Sequence, residues 1–124
     1  MDLILDTHVL LWLVTGHRQL SQALIARLAD PDTRCFVSAV TAWEYSDLHR
    51  RGRLPASVPL PVAQERFGFA ILDLPSDVWT QAEALPDIHG DPVDRMLVAH
   101  TRALGMTLAT SDRDIRRYPV ETLW

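Results

Sequence analysis

Four acidic residues, Asp6, Glu44, Asp94 and Asp112, occupy related places in the chain. The apolar run Leu3-Ile4-Leu5 leads straight into Asp6, and Cys35-Phe36-Val37 leads into a helical stretch that carries Glu44. Thr107-Leu108-Ala109 leads through Thr110-Ser111 into Asp112, and Asp94 falls in the first turn of the helical stretch before that run. If the apolar runs are strands of one α/β sheet, all four carboxylates meet at one end of it. Close carboxylates repel one another by about 4 kcal/mol per pair at an effective dielectric near 20. Such a cluster is tolerable mainly when a cation neutralises it. Oxygen ligands without cysteine select a hard cation, Mg²⁺ or Mn²⁺. A cation held there can activate a water and stabilise the charge on an attacked phosphodiester. The chemistry would be hydrolysis of a nucleic-acid backbone.

Each acid also has a structural alternative. Asp6 could cap the helix that follows it. Glu44 lies three residues after Thr41, the spacing of a capping box. Asp91-Pro92-Val93-Asp94 is a helix-start signature, with Asp91 as N-cap, Pro92 at the first helical position and Asp94 compensating the helix dipole. Asp112 and Asp114 could be turn residues paired with Arg113 or Arg116. The metal reading rests on the four acids falling at the same end of the sheet.

The elements that would position them alternate along the chain. After the first strand, His8 to Val14 reads as a helix stopped by Gly16, and Leu20, Leu24, Ile25 and Leu28 share a face of a second helix that ends at Asp30-Pro31. Ser38 is the expected N-cap of a helix running through Trp43 and Leu48 to Gly52. Three prolines between Leu54 and Pro61 mark a connector, and a short helix follows to Phe67. Phe69 to Leu74 reads as a third strand, and Pro75 opens a helix to about Ala84. From Asp91-Pro92, residues Val93, Met96, Leu97, His100, Ala103 and Leu104 line one helical face, with Gly105 as the stop. Thr107 to Ala109 is a fourth strand and Val120 to Leu123 a fifth. This alternation implies one α/β domain over residues 1–124, with about five mostly parallel strands flanked by helices.

Composition narrows the alternatives. The 124 residues contain no Lys, so Walker-type phosphate binding and Schiff-base chemistry are excluded. With Cys35 as the single cysteine, neither an intrachain disulfide nor a cysteine-based zinc site can form. Cys35 reads as a small core residue. Asp2 and Asp6 near the start argue against a signal peptide, and the run Val9 to Val14 is far too short to span a bilayer. A cytoplasmic location and no membrane association are expected. The net charge of −4 disfavours nucleic acid as a partner at first sight.

Leu3-Ile4-Leu5-Asp6-Thr7-His8-Val9-Leu10-Leu11-Trp12 resembles the opening of the PIN-domain ribonucleases, specifically the VapC toxins of bacterial toxin–antitoxin pairs. Val37 to Glu44 is similar to the family's second acidic motif, His89 to Ala99 to its third, and Leu108 to Asp112 to its fourth. The order and spacing hold over nearly the whole chain. The resemblance implies a single PIN-like domain and a Mg²⁺- or Mn²⁺-dependent endoribonuclease. Asp6, Glu44 and Asp94 match the core acidic triad, and Asp112 matches the fourth acid. Thr7 and Ser111 occupy positions that often hydrogen-bond the ligating carboxylates, and Asp91 is an N-cap or an outer acid. A cognate VapB-type antitoxin and a homodimer are implied as well. A PIN-like module that binds RNA or protein without cutting, and a metal-dependent phosphohydrolase of small substrates, are the alternatives.

The basic and aromatic residues are less specific. Arg50, Arg51 and Arg53, and Arg113 after the fourth acid, suit phosphate gripping, although Asp47 is placed to pair with Arg50 and Arg51 on the helix. Arg95 is expected to point outward and His100 to be a satisfied core residue. His8 and His89 adjoin the acidic motifs without metal-ligand spacing. Trp12 and Trp43 are expected in the core; Trp79 and Trp124 read as packing residues.

Overall fold

The computed structural model describes residues 1–124. Five strands, β1 (Asp2–Leu5), β2 (Arg34–Ser38), β3 (Ala70–Leu72), β4 (Thr107–Ala109) and β5 (Thr122–Leu123), form one sheet in the order β3-β2-β1-β4-β5. Every pairing is parallel: Leu3 faces Cys35 on one side and Thr107 on the other. The order reverses between β1 and β4. In open parallel sheets the crevice beyond the strands' carboxyl ends at such a reversal is where ligands bind.

Six α-helices complete the fold: α1 (Thr7–Thr15), α2 (Gln22–Ala29), α3 (Ala39–Arg50), α4 (Leu60–Phe67), α5 (Val78–Glu83) and α6 (Pro92–Leu104). Successive strand residues point to opposite faces, and the core divides accordingly. Leu3, Leu5, Val37 and Ala109 pack with Val9, Leu10, Leu24, Tyr45 and Ala63 on one face. Ile4 and Leu108 pack with Val78, Leu97, Val98 and Ile115 on the other. The central strands are apolar on both sides because both sides are covered, the pattern expected of a parallel sheet.

Local signals act as the sequence predicts at several ends. Gly16 and Gly105 stop α1 and α6 in the left-handed conformation, with φ of 63° and 64°. Ser38 Oγ accepts from the Val40 N–H and caps α3, while Asp91 Oδ1 accepts from the Val93 and Asp94 N–H groups and caps α6.

Other expectations are corrected. The third strand covers only Ala70–Leu72, at the sheet edge where it has one neighbour, and α5 starts at Val78 after a turn closed by the Val78 N–H on the Pro75 carbonyl. Ile25 is exposed rather than core-facing. On α6, all of Leu97 to Thr101 is buried, whereas Ala103 and Leu104 are exposed. This helix contacts β4, α3 and α5, so its middle turns are covered all round while its last turn runs out into solvent. Trp43 is 63% exposed because α3 buries Thr41 and Tyr45, and a residue two positions from Tyr45 faces away from it. Trp79 is exposed too. Trp12 is half-buried, stacked on His17 at 5.3 Å and against Trp124 at 5.5 Å. Cys35 packs half-buried against the first core cluster, and burial raises its thiol pKa.

Candidate metal centre

Asp6 follows β1 immediately and stands at the N-cap of α1, but its side chain caps nothing there. It is 4% exposed, and its Oδ2 accepts from Thr110 Oγ1 at 2.8 Å, beyond the end of β4. The Asp6 N–H bonds the Ala109 carbonyl at 3.1 Å, which prolongs the β1–β4 ladder and fixes this approach. Burial raises the Asp6 pKa, and the Thr110 bond partly opposes that.

Thr110 has a second bond, accepting from the Asp112 N–H at 3.1 Å. Asp112 Oδ1 in turn accepts from the N–H groups of Asp114 at 2.8 Å and Ile115 at 3.1 Å, opening a 3₁₀ turn over Ile115–Arg117. Asp112 is therefore a turn residue as well as a member of the acidic cluster. Asp114 pairs with Arg117 at 3.6 Å rather than with Arg113 or Arg116.

Asp94, on the first turn of α6, receives the strongest charge pressure. Its pKa is pushed up to about 7, first by burial and then by repulsion from Asp6, Asp91, Asp112 and Glu44. Asp94 thus lies within electrostatic reach of Asp6, Glu44 and Asp112, with Asp91 added from the cap, while of the four acids only Asp94 and Asp112 belong to a group of three residues whose ligand atoms all fall within 4.8 Å of one another. Glu44 reaches the group from the middle of α3. The capping-box alternative for Glu44 is not realised, since Ser38 caps α3 and Thr41 Oγ1 is buried without a partner. Beside Glu44 runs a groove of about 350 Å³ that Thr7, His8, Trp43, Arg51 and Val93 help to line.

Two supporting roles differ from expectation. The hydroxyl that holds Asp6 belongs to Thr110, not to Thr7 or Ser111, and Thr7 Oγ1 is buried without a hydrogen-bond partner. Arg95 points inward. Its guanidinium donates to the carbonyls of Ala82 at 2.7 Å, Pro86 at 2.9 Å and Leu85 at 3.1 Å, at the end of α5. Arg50 and Arg51 are tied to Asp47 at 2.5 and 3.2 Å, and both are exposed, as are Arg53 and Arg113. His100 is buried with Nδ1 2.8 Å from Ser38 Oγ, while its Nε2 has no partner.

His89, which the sequence placed beside the acidic motifs without a metal-ligand role, is joined here by Tyr118, which the sequence did not bring forward. His89 Nε2 lies 3.3 Å from Asp94 Oδ2, and ligand atoms of His89, Asp94 and Asp112 all fall within 4.8 Å of one another. The available signal was position, two residues before the Asp91 cap. Nothing local indicated Tyr118, 29 residues further on.

This donor set fits a hard divalent cation. Its carboxylates are numerous, one is almost fully buried, and the pKa of another is pushed up to about 7 by burial and then by its acidic neighbours. A cation would relieve both strains, as the positive ends of the α1 and α6 dipoles do in part.

A model of the PIN domain matches residues 3–121. Ribonuclease VapC22 of Mycobacterium tuberculosis is 28% identical over 128 residues, across 98% of this chain and 97% of that protein. VapBC2 from Rickettsia felis, bound to a DNA fragment from its promoter, shares the fold with a TM-score of 0.77 at 18% identity, covering 100% of this chain and 99% of the other. DNA-bound VapBC from Salmonella typhimurium gives 0.68 at 17% identity, over 99% and 97%. With its five-stranded parallel sheet, its acids gathered at the strand-order reversal and a family match over nearly its full length, the chain belongs to the PIN domain family.

Proposed function

We propose that this protein is a Mg²⁺- or Mn²⁺-dependent endoribonuclease toxin of the VapC type, restrained by a VapB-type antitoxin and acting as a homodimer in the cytoplasm. The observation that carries this reading is the charge-stressed group of Asp6, Glu44, Asp94 and Asp112 at the sheet's ligand-binding end. The similarity to Ribonuclease VapC22, and the fold shared with chains of VapBC structures, support it.

In this reading Asp6, Glu44 and Asp94 hold the cation and Asp112 completes the site. Bound there, the cation would supply an activated water and offset charge on the scissile phosphodiester. Thr110 fixes Asp6 so that one carboxylate oxygen stays committed and the other is left without a side-chain donor, available to the cation. Asp112, with Oδ1 committed to two backbone N–H groups, presents its second oxygen in a set direction. Arg50, Arg51, Arg53 and Arg113 are all exposed and suited to phosphates flanking the cut, and of these Arg53 and Arg113 have no carboxylate partner to give up.

Purified protein freed of antitoxin should cleave an RNA oligonucleotide with Mg²⁺ or Mn²⁺. Cleavage should stop in chelator and fall at least about 100-fold in Asp6→Asn, the scale on which loss of one preorganised electrostatic group acts. Folded protein that cuts no RNA with either metal would overturn the proposal.

A further inference from the structure

His89 lies between the acidic cluster and the rest of the fold, and four contacts fix it. Tyr118 Oη accepts from the His89 backbone N–H at 3.2 Å and donates to the His89 carbonyl at 3.1 Å. The Tyr118 hydroxyl is itself steadied by Arg95 Nη1 at 3.4 Å. The two rings meet edge to face at 6.0 Å. The Asp91 N–H donates to His89 Nδ1 at 3.1 Å. These bonds set the position of the ring and also its chemistry. An imidazole nitrogen that accepts a hydrogen bond carries no hydrogen, so in the neutral ring the hydrogen sits on Nε2.

Nε2 is thus a donor and has no lone pair to offer a cation. It is buried, it has no hydrogen-bond partner, and Asp94 Oδ2 is the acceptor in front of it at 3.3 Å. Closing this contact into a hydrogen bond would satisfy the donor and leave the other Asp94 oxygen for the cation. A buried donor left unmade is destabilising, so the arrangement favours that closure. The proximity of His89, Asp94 and Asp112 ligand atoms would by itself suggest a three-residue metal site that includes the imidazole. The Asp91 bond to Nδ1 argues the opposite.

We propose that His89 is a positioning residue: locked by Tyr118 and Asp91 in its Nε2–H form, it aims the Asp94 carboxylate at the cation instead of ligating the cation itself. This inference rests on the metal-dependent reading above. Partners that orient a ligating side chain typically affect metal affinity by about 10–100-fold.

Calorimetric titration of Mn²⁺ into the metal-free protein, with spin-echo resonance of the bound Mn²⁺, tests it without recourse to activity. Wild type should bind Mn²⁺ and show no coupling to a directly bound nitrogen. His89→Ala should weaken binding about 10–100-fold. His89→Gln, whose amide can donate to Asp94, should recover most of that loss, which a merely structural role for the ring would not produce. Tyr118→Phe, which removes the clamp but keeps the ring, should fall between the two. A nitrogen coupling in wild type that disappears in His89→Ala would make His89 a ligand and overturn the proposal. Unchanged affinity in a folded His89→Ala would also overturn it. Wild type that binds no Mn²⁺ would overturn the functional reading, and this inference with it.

Discussion

Asp94 concentrates the conflict at the site in one titrating group. Its pKa of about 7, against an ordinary 3.8, means that the folded protein binds this proton more tightly than the unfolded chain does. Between roughly pH 4 and 7 the folded state therefore carries more protons, and this group's contribution to stability falls as pH rises through that window. The full shift would correspond to about 4 kcal/mol, and relaxation and water access reduce it. Metal-free Asp94→Asn should accordingly be more stable than wild type by about 2 kcal/mol at pH 8, with the two converging near pH 4. Urea denaturation at a series of pH values reads this directly. A variant less stable than wild type at pH 8 would mean that the Asp94 charge is already compensated within the chain. Thr110 does the opposite work for Asp6, favouring the charged form of a carboxylate that burial disfavours.

At the scale of elements, α5 and α6 are joined through one side chain. The six residues of α5 are too few for a stable isolated helix, so its persistence depends on packing and on satisfaction of its last carbonyls. Arg95 meets three carbonyls at the end of α5 from the first turn of α6, and it adjoins Asp94 in sequence. Arg95→Leu would leave those groups short of a charged donor. Loss of stability by about 3 kcal/mol is expected, a fall in Tm of roughly 10 °C for a chain of this size. The exposed Arg102, further along the same helix, is the control, and Arg102→Leu should change stability by less than about 0.5 kcal/mol. Comparable losses in the two variants by thermal melting would count against this bracing role. Ser38 makes a similar link elsewhere, capping α3 with the same hydroxyl that meets the buried His100 of α6.

For the whole molecule, the reversal of strand order between β1 and β4 is what brings the parts of the candidate site together. Asp6 and Asp112 come from the two strands on either side of it, and the N-terminus of α6 brings Asp94 to them. The four acids of the proposed site carry a charge equal to the chain's whole net charge of −4. Without Asp6, Glu44, Asp94 and Asp112 the remainder of the chain sums to −4 + 4 = 0. A bound cation also changes the sign a phosphate meets at the site. Ligand binding to the folded state alone stabilises it by about 2.7 kcal/mol at one hundred times the dissociation constant. Mn²⁺ should therefore raise the wild-type Tm by roughly 10 °C at that concentration and leave Asp6→Asn nearly unmoved. An equal rise in both would place the ion elsewhere on the surface. No helix is long and apolar enough to cross a membrane.

The sequence by itself determined the alternation of strands and helices, the caps at Ser38, Asp91 and Gly105, and the four acidic positions. These depend on side-chain period and on backbone chemistry within a few residues, and both are written locally. Only the tertiary structure decided that Thr110 holds Asp6 from 104 residues away, that Arg95 turns inward, and that Tyr118 clamps His89 across 29 residues. It also decided that Trp43 faces solvent and that Ala103 and Leu104 lie beyond the covered part of α6. Period can say which residues share a face. Which element covers that face, and where the cover ends, follows from strand order and helix placement, and those are set by contacts between distant parts of the chain.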